Sequence, residues 1–175
     1  MSGPHPNPET VALLSLGSNL GRREETLLRA LARLARRDGV RLDAASSLYE
    51  TEPVGLAAER LFVNAACAVT TPLPPRDLLA LCLEIEREFG RARGGPSRDR
   101  TLDIDLVAYG GLSIREPGLT VPHPRLRERL FVLVPLDEIR PDFRLPPDGK
   151  TVREVLRGHA GGGWARRVSS RGEAR

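Results

Sequence analysis

The stretch Thr101-Leu102-Asp103-Ile104-Asp105-Leu106-Val107 alternates apolar and acidic side chains. Successive side chains on a strand point to opposite faces. Leu102, Ile104 and Leu106 therefore turn to a core, while Asp103 and Asp105 share the other face about 6–7 Å apart. Two carboxylates held that close repel each other unless a cation sits between them. Mg²⁺ is a natural candidate, because it binds through one or two carboxylates and completes its shell with water and substrate phosphates. A solvated strand face is the alternative reading. The segment Gly90–Arg100 leads directly onto this strand and carries four arginines, three glycines and a proline. Glycines permit motion and arginines supply bidentate phosphate donors. A cationic loop beside a carboxylate pair suits a triphosphate, with metal on one side and guanidinium groups on the other; a solvated basic loop is the plainer reading.

Other residues carry weaker signals. Gly17-Ser18-Asn19-Leu20-Gly21 turns a strand into a helix, where backbone N–H groups can meet an anion. It lacks the Gly-Lys-Ser/Thr ending of a phosphate-binding loop, so a turn and helix cap is the leading reading. Phe62 and Asn64 share one face of a strand and pair a stacking ring with an amide that both donates and accepts, which suits a flat heterocycle or, equally, a core. His123 is restrained between Pro122 and Pro124, and Phe131 reads as a core residue.

These residues need a scaffold, and hydrophobic periodicity supplies one. Thr10–Leu16 is a short apolar run expected as a strand. Arg22–Arg37 has helical spacing, with Leu27, Leu28, Leu31, Leu34 and Ala35 on one face and acidic residues in the first turn. Val40–Tyr49 and Leu61–Thr70 read as strands, Pro75–Phe89 as a second helix and Leu102–Tyr109 as a fourth strand. The order β-α-β-β-α-β is the ferredoxin-like arrangement. The expected fold is α+β: an antiparallel sheet with helices packed on one face and a C-terminal extension. A single domain is expected over residues 10–158, flanked by loose tails at 1–9 and 159–175.

Composition agrees with a soluble enzyme-sized domain. The chain has 175 residues, 40% hydrophobic and 29% charged, with only 4% aromatic, so the core must be built from Leu, Val, Ile and Ala. The formal net charge is +4, and Lys150 is the single lysine among 27 basic residues. This arginine bias is compatible with anionic partners and equally with a general compositional preference. Cys67 and Cys82 form no Cys-x-x-Cys pair and read as buried thiols of a reducing compartment. No apolar run approaches membrane-spanning length and no signal pattern opens the chain, so the expected location is the cytoplasm, without a membrane partner.

Taken together, these segments resemble the 6-hydroxymethyl-7,8-dihydropterin pyrophosphokinase family. The resemblance rests on Gly17-Ser18-Asn19-Leu20, Tyr49-Glu50-Thr51-Glu52-Pro53-Val54-Gly55, Phe62-Val63-Asn64-Ala65-Ala66, Glu84-Ile85-Glu86, Gly90-Arg91-Ala92-Arg93, Arg100-Thr101-Leu102-Asp103-Ile104-Asp105, Leu119-Thr120-Val121-Pro122-His123 and Phe131-Val132-Leu133-Val134-Pro135-Leu136, in that order. It implies transfer of a diphosphoryl group from the co-substrate ATP to the hydroxymethyl oxygen of the pterin in folate biosynthesis, with AMP released. By the same resemblance Asp103 and Asp105 would hold two Mg²⁺ ions. Phe62 and Phe131 would sandwich the pterin, and Asn64 with Thr51, Glu52 and Val54 would meet its edge. Arg91 and Arg100 would close on the phosphates, while Glu86, Arg93, Leu106, Thr120, His123 and Arg129 would line the nucleotide site. Functional proximity to dihydropteroate synthase is the implied protein partnership, and no nucleic acid is implied.

The chain also departs from the family pattern. Ser97-Arg98-Asp99-Arg100 replaces the usual Trp-Gly-Pro-Arg, Gly118 stands where arginine is frequent, and Phe62 where tyrosine is common. Two other readings of the same pattern are an RNA-binding module and a non-catalytic small-molecule-binding domain. An RNA-binding sheet stacks bases on exposed aromatics, whereas this one carries an acidic pair.

Overall fold

The computed structural model describes residues 8–52, 60–90 and 100–169. Its first strand, β1 (Thr10–Ser18), is buried on both faces from Ala12 onward. The unbroken run Ala12-Leu13-Leu14 therefore belongs to a strand sandwiched between two layers, not to one with a solvent face. Helix α1 (Arg23–Leu34) follows, then β2 (Arg41–Ala45), β3 (Tyr49–Thr51), β4 (Phe62–Thr71), α2 (Pro75–Glu88) and β5 (Asp103–Tyr109). The main sheet is antiparallel. β1 is flanked by β4 and β5, and β4 pairs along its length with β2 and then β3.

The strand expected over Val40–Tyr49 is broken in two. Ser46 Oγ accepts from the Ala66 amide at 2.9 Å, so a side chain takes the place of the next backbone acceptor in the ladder.

Beyond β5 come the hairpin β6 (Ile114–Glu116) and β7 (Leu119–Val121), helix α3 (Leu130–Ile139), the hairpin β8 (Arg144–Leu145) and β9 (Lys150–Thr151), and helix α4 (Val152–Arg157). A last strand, β10 (Ala165–Arg167), pairs with β3 and extends the sheet to six strands. The expectation of a wholly loose segment over 159–175 is thus corrected: its short apolar-basic stretch finds an open edge at β3.

Two cores result. One packs Leu14 and Leu16 of β1 and Ile104 and Leu106 of β5 against Leu27, Leu31 and Leu34 of α1 and Leu78 and Ile85 of α2. The other packs Leu13, Ala66, Ala68, Val107 and Ala108 against Val132, Leu133 and Leu136 of α3 and Val152 and Val155 of α4. Helices therefore cover both faces, and the one-face expectation is corrected. The reason lies in α3, which is apolar nearly all round and must be buried. Cys67 and Cys82 are free, buried thiols. Burial pushes both up in pKa, that of Cys82 to about 12, with Glu86 the next contributor there. Among the described residues no helix is long and apolar enough to cross a membrane.

Candidate active site

The second face of the sheet is apolar at one end and polar at the other. In antiparallel register, directly opposed residues share a face. Leu16 lies opposite Ile104 and Leu14 opposite Leu106, all in the first core. Ser15 lies opposite Asp105, and Gly17 lies opposite Asp103 on one side and Asn64 on the other. Thr51 in turn lies opposite Phe62. All seven positions therefore lie on the α3 side, just past the end of the second core. A one-residue irregularity in β5, where Leu13 pairs with Ala108 and Leu14 with Leu106, gives Val107 and Ala108 to that second core.

The result is a cavity of about 380 Å³. Its described walls are Ser15, Gly17, Thr51, Glu52, Phe62, Asn64, Arg100, Asp103, Asp105, Arg125, Arg129 and Phe131. One wall is suited to a flat ring: Asn64 is buried, its Nδ2 donates to Thr51 Oγ1 at 2.7 Å, and Phe62 and Phe131 flank the opening. With its NH₂ group oriented by Thr51, Asn64 keeps its carbonyl over Gly17. A Cβ at Gly17 would lie 2.8 Å from Asn64 Oδ1, so glycine is required there by close approach.

The other wall is electrostatic. Arg100 forms an ion pair with Asp103. Arg129 lies 3.6 Å from Asp105 and sets its guanidinium 5.4 Å from the centre of the Phe131 ring. Burial raises the Asp105 carboxyl above the ordinary range, and neighbouring Asp103 raises it further, against His123, Arg129 and Arg100. Burial lowers the His123 imidazole, opposed by Asp105. Its Nδ1 accepts from the Arg125 amide at 3.1 Å, which leaves Nε2 to carry the proton. Burial also lowers the Arg129 guanidinium, whose Nε finds no hydrogen-bond partner among the described residues. The donor set fits a divalent cation: two hard carboxylates on one strand face, joined by no third His, Cys, Asp or Glu in a ligating group among the described residues. Such a site leaves coordination positions for water and phosphate oxygens.

The edges of the site are braced from outside. Asn19 is buried and exchanges hydrogen bonds with Arg100: the Arg100 amide donates to Asn19 Oδ1 at 2.6 Å, and the Asn19 amide donates to the Arg100 carbonyl at 3.1 Å. The Gly17–Gly21 turn thus anchors the entry to β5, and α1 is not capped by it, since Arg22 holds the N-cap position. His123 N–H donates to the Val107 carbonyl at 2.8 Å. Glu86 is buried, and its Oε1 accepts from the Ile104 amide at 2.8 Å. Glu86→Ala should lower stability by about 1–3 kcal/mol by leaving that amide unpaired, whereas Glu86→Gln keeps an acceptor and should lose less. Urea unfolding of the two variants measures the difference, and equal losses would contradict this role.

Of the residues singled out in the sequence, Thr51, Glu52, Phe62, Asn64, Arg100, Asp103, Asp105, Arg129 and Phe131 meet in one cavity. Glu86, Leu106, Thr120 and His123 are not among its described walls; Leu106 is buried in the first core. Val54, Arg91 and Arg93 lie outside the described residues, as does most of the arginine-glycine loop. Ser15 and Arg125 also line the cavity and were not anticipated. Ser15 could have been found from its parity with Gly17; Arg125 carries no local signal.

Residues 13–141 match the sequence profile of 7,8-dihydro-6-hydroxymethylpterin-pyrophosphokinase (HPPK). The chain belongs to this family. It is 45% identical over 147 residues to the 2-amino-4-hydroxy-6-hydroxymethyldihydropteridine pyrophosphokinase of Methylorubrum extorquens, covering 84% of this chain and 92% of that one. To the Bacillus subtilis protein of the same name it is 44% identical over 129 residues, covering 74% and 77%. Among solved structures it resembles the Plasmodium falciparum HPPK-DHPS wild type with pteroate, with a TM-score of 0.70 at 15% identity. That match covers 88% of this chain and 43% of the longer one, a likeness of fold.

Proposed function

We propose that this chain transfers the diphosphoryl group of ATP to the hydroxymethyl oxygen of 6-hydroxymethyl-7,8-dihydropterin, releasing AMP, as a step of folate biosynthesis in the cytoplasm. The observation that carries this reading is the single cavity in which Asp103 and Asp105 face Phe62, Asn64 and Phe131. Residues 10–158 form the pyrophosphokinase domain in a ferredoxin-like order, β5-β1-β4 followed by β2 and β3, with strand β10 added at the edge.

Asp103 and Asp105 would hold two Mg²⁺ ions. When bound, these ions supply charge neutralisation for the phosphates and lower the pKa of the attacking hydroxyl. Phe62 and Phe131 stack on the heterocycle, and Asn64, oriented by Thr51, pairs its polar edge beside Glu52; the family resemblance assigns Val54 to the same edge. Arg100, Arg125 and Arg129 offer guanidinium groups to the triphosphate, and the family resemblance assigns Arg91 and Arg93 to the same task. Thr120 and His123 would line the nucleotide side beside β5, whereas Leu106, buried in the first core, and Glu86, which accepts from the Ile104 amide, support that strand from behind. Most of the rate enhancement then comes from positioning and electrostatic stabilisation, because phosphoryl transfer asks for little covalent help from the protein. Solved relatives that join HPPK to DHPS in one chain support functional proximity to dihydropteroate synthase. A nucleic-acid-binding sheet is disfavoured, since α3 and α4 pack on the face that bases would need.

The purified protein should convert ATP with Mg²⁺ to AMP only when the pterin is present. AMP formed at the same rate without pterin, or none formed with it, would overturn the assignment.

A further inference from the structure

Strand β10 carries none of the groups assigned to the reaction, yet it runs along the wall that holds them. Its pairing sets Ala165 opposite Thr51, Arg166 opposite Glu50 and Arg167 opposite Tyr49, and the Val168 amide continues the ladder to the Leu48 carbonyl at 2.8 Å. β3 is only three residues long, and its other neighbour is β4. An edge strand that short is poorly held by one partner. Yet β3 ends on Thr51, whose Oγ1 accepts from Asn64 Nδ2, and continues into Glu52 at the cavity wall.

The residue leading into β10 makes a second, independent contact. Gly163 has φ +111°, a conformation that favours glycine. A Cβ built there would lie 3.0 Å from Glu52 Oε1 and 3.9 Å from Leu130 Cδ1. Leu130 opens α3 and immediately precedes Phe131. Gly163 thus lies where a side chain would meet both a cavity wall and the residue beside its aromatic flank.

We propose that Gly163–Val168 is a positioning strap for the heterocycle pocket: it holds β3 and Glu52 so that Thr51 keeps the Asn64 amide aimed at the ligand edge. The inference rests on reading Phe62, Asn64 and Phe131 as the pterin site. The strap touches the ring-binding wall and not the carboxylate pair, so its loss should separate the two substrates.

The test compares the full-length protein with Gly163→Ala and with a chain ending at Gly162. Calorimetry reads the affinity for 6-hydroxymethyl-7,8-dihydropterin, and separately for a non-hydrolysable ATP analogue with Mg²⁺. Pterin affinity should fall about tenfold in both variants while the analogue changes less than about twofold. In steady state, the pterin KM should rise more than kcat falls. Equal pterin affinity in all three proteins, or proportional losses for both ligands, overturns the strap while leaving the pocket intact. If the shortened chain does not fold, Gly163→Ala decides alone. Absence of pterin binding in the unaltered protein would remove the pocket reading, and the strap with it.

Discussion

Asp103→Asn and Asp105→Asn proteins are expected to fold and to lose diphosphoryl transfer by on the order of 10³-fold or more. Both side chains stand on the face opposite Leu102, Ile104 and Leu106, so the first core is untouched by the change. Asparagine keeps the shape and removes the charge that holds a divalent cation. Stability in the absence of metal should respond with a definite sign for Asp105. Its carboxyl is raised by burial and by Asp103, so folding favours its protonated form. The ionised group therefore opposes folding above that raised pKa, and the penalty disappears as the pH falls below the ordinary carboxylate range. Asp105→Asn should accordingly unfold at an equal or higher urea concentration than the parent at pH 7, and the gain should vanish at low pH. Pterin affinity should persist, because rings and an amide carry it. A folded variant of either position that turns over near the parental rate would remove the two-metal reading.

Gly17→Ala should weaken pterin binding by about 10- to 100-fold while leaving ATP affinity nearly unchanged. The added Cβ would stand 2.8 Å from Asn64 Oδ1, closer than carbon and oxygen tolerate, so the amide must turn and surrender its bond to Thr51. Asn64→Ala should cause a loss of similar size by leaving the heterocycle edge unpaired. Because the glycine substitution acts through Asn64, the double variant should lose little more than Asn64→Ala alone. Additive losses in this cycle, measured calorimetrically, would mean that Gly17 and Asn64 act separately.

Much of this site was legible because its parts are local patterns. The alternation around Asp103 and Asp105 needs only the two-residue period of a strand, and β5 places both carboxylates on one face as expected. Phe62 and Asn64 follow the same rule on β4. The two long helices were equally plain from their 3.6-residue periodicity, and their ends shift by no more than three residues from the expected bounds.

What the sequence by itself determined was therefore the type of most elements up to β5 and the shared faces of Asp103 with Asp105 and of Phe62 with Asn64, since these depend on backbone periodicity within one segment. Tertiary structure alone decided which of those faces meet. The register of β1 against β4 and β5 sets Gly17 between Asn64 and Asp103. The apolar surface of α3 forces it onto the second sheet face and carries Phe131 and Arg129 to the cavity. The open edge of β3 recruits Ala165–Arg167, more than a hundred residues downstream. Each of these outcomes minimises exposed apolar surface or unpaired backbone across segments distant in the chain, and no short stretch of residues contains that information.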